Sequence, residues 1–250
     1  MDRRAVLRAA ALWPLAVTAC SVSPAGVPAP APAPTTVTPL VRSTAAPSPT
    51  LRPTGELAHA ETGRAEVALT FHGAGDEALG RRLLTLLHDR GAAGTVLAVG
   101  TWLQRYPDAG RMVVGLGHEL GNHTWSHPDL AALDEAGVRV EIERCRDLIA
   151  AATGGPGAFF RPSQAQHATP AVRRAATAAG YSAVLSYDVD SRDFTDPGAA
   201  VIRKNAVAVT AGGVVSLHLG HPGTLGAFPG ILDDLAARGL RPVTASALFA

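Results

Sequence analysis

The sequence predicts an α/β fold built on a parallel sheet or barrel, and three observations carry that prediction. Short apolar runs alternate with amphipathic stretches from residue 64 onward, as strands do when crossover helices join them. His72, His123, Arg161, Asp188, Asp190 and His218 each fall at or just past the end of an apolar run. Sites in barrels and open α/β sheets are built at the C-terminal strand ends, and packing alone gives no reason for a polar group at every one. The chain is 250 residues long and 47% apolar, enough for one such core plus extra segments.

The elements follow in order. EVALTF (66–71) reads as a buried strand. Residues 78–91 read as a helix with Leu79, Leu83, Leu86 and Leu87 on one face and Gly91 as its stop. GTVLAVG (94–100) and HELGNH (118–123) are further strands, the latter polar at its end. A helix begins at Asp134 and ends at Gly154, and within it Val138, Ile142, Cys145 and Ile149 recur at helical spacing. That spacing makes Cys145 a small buried residue. FFR (159–161) is a short strand. The next helix has Thr169 as its N-cap and Pro170 at its first position. SAVLSYDVD (182–190), GGVVSLHLG (212–220) and RPVTA (241–245) are strands, with FPGILDDLAARGL (228–240) leading to the last. No internal repeat is visible.

The first sixty residues are of another kind. A basic head precedes an apolar run from Ala9 to Ala19, too short to span a bilayer but laid out like a signal peptide. Arg3-Arg4 weakly resembles a twin-arginine export signal. Val17-Thr18-Ala19-Cys20 resembles a bacterial lipobox, which implies cleavage before Cys20 and lipidation of that residue; the alternative is plain secretion. From Arg3 to Arg52 there is no acid, and residues 21–55 hold nine of the 19 prolines. Such a segment has little apolar surface to bury and favours extended polyproline geometry, reaching roughly 100 Å over 35 residues. The expected organisation is a signal peptide over 1–19, a disordered lipid-anchored Pro/Ala-rich linker over 20–63, and a catalytic domain over 64–250. Charged residues are 17% of the chain and its net charge is +1, so it lacks the basic excess that nucleic acid demands.

GNHTWSHPDL carries the strongest local signal. His123 and His127 are four apart, which on a helical turn or tight loop brings both rings to one side of a common ion. Alone, the pair also fits two surface or capping histidines. Residues 66–250 resemble a polysaccharide deacetylase domain, family four of the carbohydrate esterases. HTWSH matches that family's His-Ser/Thr-x-x-His metal motif, and FFRPS (159–163) resembles its Arg-x-Pro-Tyr segment. DVDSRDF (188–194) resembles its Asp-x-x-Asp-Trp segment, with Asp190, Asp193 and Phe194 at the corresponding places. VVSLHLG (214–220) resembles the closing Leu-x-His, with His218 as its histidine.

The resemblance implies a distorted (β/α) barrel that removes N-acetyl groups from cell-wall or related polysaccharide. It implies a divalent ion, zinc or one like it, held by one Asp and two His, with an Asp as base. His123 and His127 become metal ligands and His218 the general acid. Arg161 and Asp193 become a charged pair orienting the base, and a backbone N–H near Gln164 binds the oxyanion. The partners it implies are an N-acetylated polysaccharide and, through lipidated Cys20, the membrane facing the cell envelope.

One motif departs sharply. Where the family has Thr-Phe-Asp-Asp-Gly this chain has TFHGAGD, so His72 replaces the base Asp and Gly73 the metal Asp. Two replacements are open. Asp76 can swing in through the glycine turn as third ligand, leaving His72 as base; this is the preferred arrangement, the other use of Asp76 being a helix N-cap. Alternatively His72 binds the ion directly, giving three neutral imidazoles. Ser163-Gln164 replaces Pro-Tyr in the groove. His167 and His221 read as supporting or surface residues and His118 as structural, while His59 and His88 lie outside any motif. Trp125 either lines a sugar site or packs against the loop. The missing acid pair also admits a catalytically inactive carbohydrate-binding protein, and the altered groove a hydrolase of another amide or ester.

Overall fold

A computed structural model of the chain describes residues 54–250. Its strands are β1 (Gly55–Leu57), β2 (Glu66–Gly73), β3 (Thr95–Ala98), β4 (Glu119–Asn122), β5 (Ala183–Leu185), β6 (Val189–Asp190), β7 (Val214–His218) and β8 (Arg241–Val243). Its helices are α1 (Glu77–Asp89), α2 (Gly100–Arg105), α3 (Ala109–Gly115), α4 (Glu135–Thr153), α5 (Pro170–Ala178), α6 (Ala199–Ala206), α7 (Pro222–Ala237) and α8 (Ala245–Leu248). The ladders between these strands are all parallel, in the order β4-β3-β2-β7-β6, with β8 beside the start of β2 and β1 beside β5. Phe160 bridges Asn122 and Val184, linking β4 to β5. Among the described residues no ladder joins β5 to β6, so the (β/α) barrel is distorted and open at that seam.

The two-residue side-chain period of a strand sorts β2 cleanly. Val67, Leu69 and Phe71 point outward into the helix-covered cluster with Leu83, Leu87, Phe228 and Ile231. Ala68 faces the other way, in a cluster with Leu97, Val214 and Leu185. On β7, Val215 and Leu217 join the outer cluster and Val214 the inner one. Thr70, His72, Ser216 and His218 therefore share the inward face, apolar at its base and polar at its C-terminal end. Each fully buried Leu or Phe of the outer layer contributes on the order of 1.5–3 kcal/mol, which anchors the strands that carry the polar end.

Local capping chemistry sets several boundaries as expected. The Asp134 side chain accepts from Gly137 N, and α4 stops where Gly154 takes a left-handed φ of 84°. Thr169 caps α5, with Pro170 at its first position. Cys145 is fully buried, as its place in the helical stripe required.

Other expectations are corrected. The folded region starts before residue 64: Gly55–Leu57 pairs with Ala183–Leu185, and Glu56 bonds His167 and Arg173. Three residues are too few to show a period against a proline-rich background. SAVLSYDVD forms two strands, because Asp188 turns aside to accept from Val214 N and pair with His59. FFR contributes only one residue, Phe160, bridged on both sides. The α1 face is rotated, with Gly80, Leu83, Leu84 and Leu87 buried and Leu79 not. The signal peptide, most of the linker and Cys20 lie outside the described residues.

Candidate active site

Strand ends and one strained loop assemble the site. Asn122, at the end of β4, organises the loop: its Nδ2 donates to Ile142 O and Tyr181 Oη, and its Oδ1 accepts from Thr124 N. Thr124 Oγ1 then accepts from His127 N. Thr124 and His127 both sit at positive φ, 69° and 60°, a conformation that costs a non-glycine residue about 1–3 kcal/mol and persists only where the surroundings enforce it. The effect is to fold His127 back toward His123, their ring centroids 4.8 Å apart.

His72 completes the group. Among the described residues, His72, His123 and His127 present ligand-capable atoms that all lie within 4.8 Å of one another. His72 Nδ1 is 2.8 Å from His123 Nε2. Tetrahedral nitrogen ligands of a zinc-sized ion lie about 3.3 Å apart, so this pair needs to part by only about half an ångström. Burial first, then the neighbouring imidazoles, hold His72 and His123 well below the usual histidine range. Burial and then His218 lower His127. All three rings are thus uncharged near neutral pH, each with one lone pair to give. His123 Nδ1 lies 3.0 Å from Arg161 O, a carbonyl that can only accept. The proton therefore sits on Nδ1, and Nε2 offers its lone pair to the cluster. The donor set fits a divalent cation.

A fourth imidazole stands beside the trio. His218 stacks on His72 with centroids 4.3 Å apart and planes 19° from parallel. Its Nδ1 bonds Asp193 Oδ1 at 2.7 Å, and Asp193 Oδ2 accepts from His218 N and Thr224 Oγ1, each at 2.7 Å. Burial of the fully enclosed Asp193 opposes ionisation, but the bonds from His218 and Thr224 outweigh it and hold the carboxyl below its usual range. The ring is 23% exposed and borders a cleft of about 390 Å³, whose walls include Gln164, Gln166, Tyr187 and Phe194.

Three expectations change here. Asp76 is not in the cluster: its carboxylate caps α1, accepting from Ala78 N and Leu79 N at 2.8 and 3.1 Å. The glycine turn that was to redirect it is pinned, since Gly75 has φ 83° and a Cβ there would lie 2.7 Å from Gly220 Cα. His72 is accordingly the third member of the trio and is not left free as a separate base. Arg161 does not pair with Asp193. It is fully buried and donates to Leu185 O, Thr70 Oγ1 and Ser186 O, with Nη1 3.4 Å from His72 Nε2. With no carboxylate beside it, burial pushes its pKa down to about 9.

Of the remaining residues, Trp125 packs on Gly100 and under Arg144 and does not border the cleft. His167 is tied to Glu56 and His221 to Asp196. Ser216, whose hydroxyl is 3.1 Å from His72 Nε2, and Tyr187 at the cleft wall were missed. Ser216 lies two residues before His218, so strand alternation alone could have placed it on the same face.

The chain matches the family described as Polysaccharide deacetylase over residues 59–184. It is 27% identical to a peptidoglycan-N-acetylglucosamine deacetylase of Bacillus cereus over 191 residues, 74% of this chain and 69% of that protein. It is 31% identical to a chitooligosaccharide deacetylase of Bradyrhizobium sp. over 164 residues, 64% of this chain and 74% of that one. The structure also superposes on a CE4 family pseudoenzyme from Bacillus anthracis with a TM-score of 0.74, covering 79% of this chain and 70% of that one at 21% identity, a likeness of fold.

Two outcomes follow from this geometry. A Cβ at Gly73 would lie 2.8 Å from Val96 Cγ1 and 2.9 Å from Ala98 Cα, so Gly73→Asp forces β3 aside. Urea denaturation is expected to show a loss of about 1–3 kcal/mol for that variant. Histidines whose folded pKa lies below the unfolded value of about 6.5 contribute stability that is present above that pH and lost as pH falls through it. His72, His123 and His127 act together in that window, and Asp193 adds the same sign below about pH 4. The melting temperature of the metal-free protein is expected to drop between about pH 7 and about pH 5, and a flat profile would contradict the buried, neutral cluster.

Proposed function

Because the chain belongs to the polysaccharide deacetylase family, we propose that it hydrolyses the N-acetyl groups of an N-acetylglucosamine-containing glycan, with a divalent cation held by His72, His123 and His127. The observation that carries this reading is the juxtaposition of that trio with His218, a cleft-facing imidazole backed by buried Asp193. A divalent ion supplies Lewis acidity, polarising a carbonyl oxygen and acidifying water.

The protein's own groups do the rest. Asp193 accepts from His218 Nδ1, which fixes the ring and leaves Nε2 as the atom that exchanges protons. With His72 in the trio, both transfers fall to His218: it takes a proton from the attacking water and returns it to the departing amine nitrogen. Asp193, held ionised, stabilises the imidazolium between the two transfers. Tyr187 and Phe194 offer aromatic faces to a sugar ring, and Gln164 and Gln166 offer amides to its hydroxyls.

A second reading has a specific observation behind it. His72-Gly73 replaces the acid pair of the first motif, and among the described residues the buried Arg161 has no carboxylate partner. A protein that binds the glycan without cleaving it fits those facts. Turnover separates the two. The zinc-loaded protein is expected to release acetate from N-acetylglucosamine oligomers, and His218→Ala to lower that rate about 10²- to 10⁴-fold while keeping the same metal stoichiometry. Sugar binding without any acetate release would favour the second reading.

We also propose export with tethering through lipidated Cys20, supported by the basic and apolar start and the single early cysteine. Expressed in a bacterium that processes lipoproteins, the protein is expected to partition with detergent and Cys20→Ser with the aqueous phase; identical partitioning would remove the anchor.

A further inference from the structure

Resting on the reading that the imidazole trio holds a divalent cation, we propose that Ser216 is a positioning residue that fixes His72 as an Nδ1 donor. The Ser216–His72 pair makes this an all-imidazole site, selective for nitrogen-preferring transition ions.

The argument starts from strand register. β2 and β7 run parallel with Thr70 opposite Ser216 and His72 opposite His218, so the Ser216 hydroxyl points to the same interior as the His72 ring. Nδ1 of that ring meets His123 Nε2 at 2.8 Å, and Nε2 meets Ser216 Oγ at 3.1 Å. A ligating imidazole must present a lone pair on one nitrogen and donate its other N–H to a fixed acceptor, which sets the tautomer and raises basicity. Near His72 Nε2 stand two groups, Ser216 Oγ and Arg161 Nη1 at 3.4 Å. Guanidinium only donates, so Ser216 is the group that can accept. His123 is held in the same way by Arg161 O. At 2.8 Å the two inner nitrogens share one proton, and ligation by His72 Nδ1 requires that proton to sit on Nε2 instead, where Ser216 Oγ accepts it.

Two departures from the family pattern meet at this bond. His72 stands where that pattern has the base Asp. Ser216 stands where Leu-x-His, ending at His218, has its Leu. A leucine there could accept nothing from His72.

The cation class follows from the donor set. No carboxylate belongs to the trio. Asp193 is spent on His218 and Thr224, and Asp76 on the start of α1. The guanidinium of Arg161 adds positive charge nearby. Hard ions such as Mg²⁺ and Ca²⁺ gain little from neutral nitrogen, whereas Zn²⁺, Co²⁺, Ni²⁺ and Cu²⁺ bind imidazole well.

The test uses metal-free full-length protein titrated with Zn²⁺ alone by calorimetry and Co²⁺ alone by visible absorption. Wild type is expected to bind one ion per chain, unaffected by excess Mg²⁺ or Ca²⁺. Ser216→Ala is expected to weaken Zn²⁺ binding about 10- to 100-fold and shift the Co²⁺ spectrum, with the melting temperature of the metal-free protein unchanged. Ser216→Thr, which keeps the hydroxyl, is expected to restore both. His72→Ala is expected to lose the high-affinity ion, and Asp76→Ala to match wild type. Wild-type binding by Ser216→Ala or His72→Ala, loss of binding in Asp76→Ala, or displacement by Mg²⁺ would overturn this inference while leaving the deacetylase reading standing. A wild type that binds no ion would overturn the metal reading and this inference together.

Discussion

Register between β2 and β7 is the constraint on which the site depends. Pairing His72 with His218 in a parallel ladder leaves both rings on the inward face, stacked 4.3 Å apart. A slip of one residue would send them into the helix-covered cluster and bring Phe71 and Leu217 inside. The outer residues enforce the register, because Val67, Leu69, Phe71, Val215 and Leu217 are fully buried there. Packing energy on one face of each strand thus fixes the chemistry on the other.

What the fold holds in place is costly. The cluster sequesters imidazoles that must stay neutral, a guanidinium whose pKa burial pushes down to about 9, and two non-glycine residues at positive φ in the Thr124–His127 loop. Hydrogen bonding offsets much of that cost. No buried side-chain polar atom lacks a partner among the described residues. Arg161 is the clearest case. With no acid to pair with, it donates to Leu185 O, Ser186 O and Thr70 Oγ1, and its own carbonyl sets the tautomer of His123. The residue that the family pattern presents as half of an ion pair serves here as a brace between β2 and the end of β5.

Local chemistry was legible in the sequence and tertiary geometry was not. Asp134 and Gly154 mark the ends of α4 because a cap acts within one turn, and the same holds for Thr169 and Pro170. Polar residues at strand ends revealed the C-terminal face, because alternation and burial leave them no other use. α2, α3 and α6, at six to eight residues, are too short for a period to stand out. Asp76 shows the limit most plainly. Its spacing from Gly73 suits a ligand and an N-cap equally, and the choice is made by the contact of Gly75 with Gly220, two residues past the end of β7. Arg161 and Asp193 likewise match their motifs, but both Asp193 oxygens are already taken by His218 and Thr224.

The same contacts explain why the departure at the first motif is not a simple loss. Gly73 packs against the backbone of Ala98 so closely that no side chain fits, and His72 reaches instead toward the histidine loop. An apolar core at this place would avoid the desolvation of the imidazoles and the strain at Thr124 and His127, so packing does not account for the cluster. Features that break local rules while every surrounding bond maintains them are the mark of a site kept for its chemistry. Here the maintained feature is a set of neutral, inward-facing imidazoles. The carbonyl of Arg161 and the hydroxyl of Ser216 face the outer nitrogens of two of those rings, and both acceptors are fixed by the barrel itself.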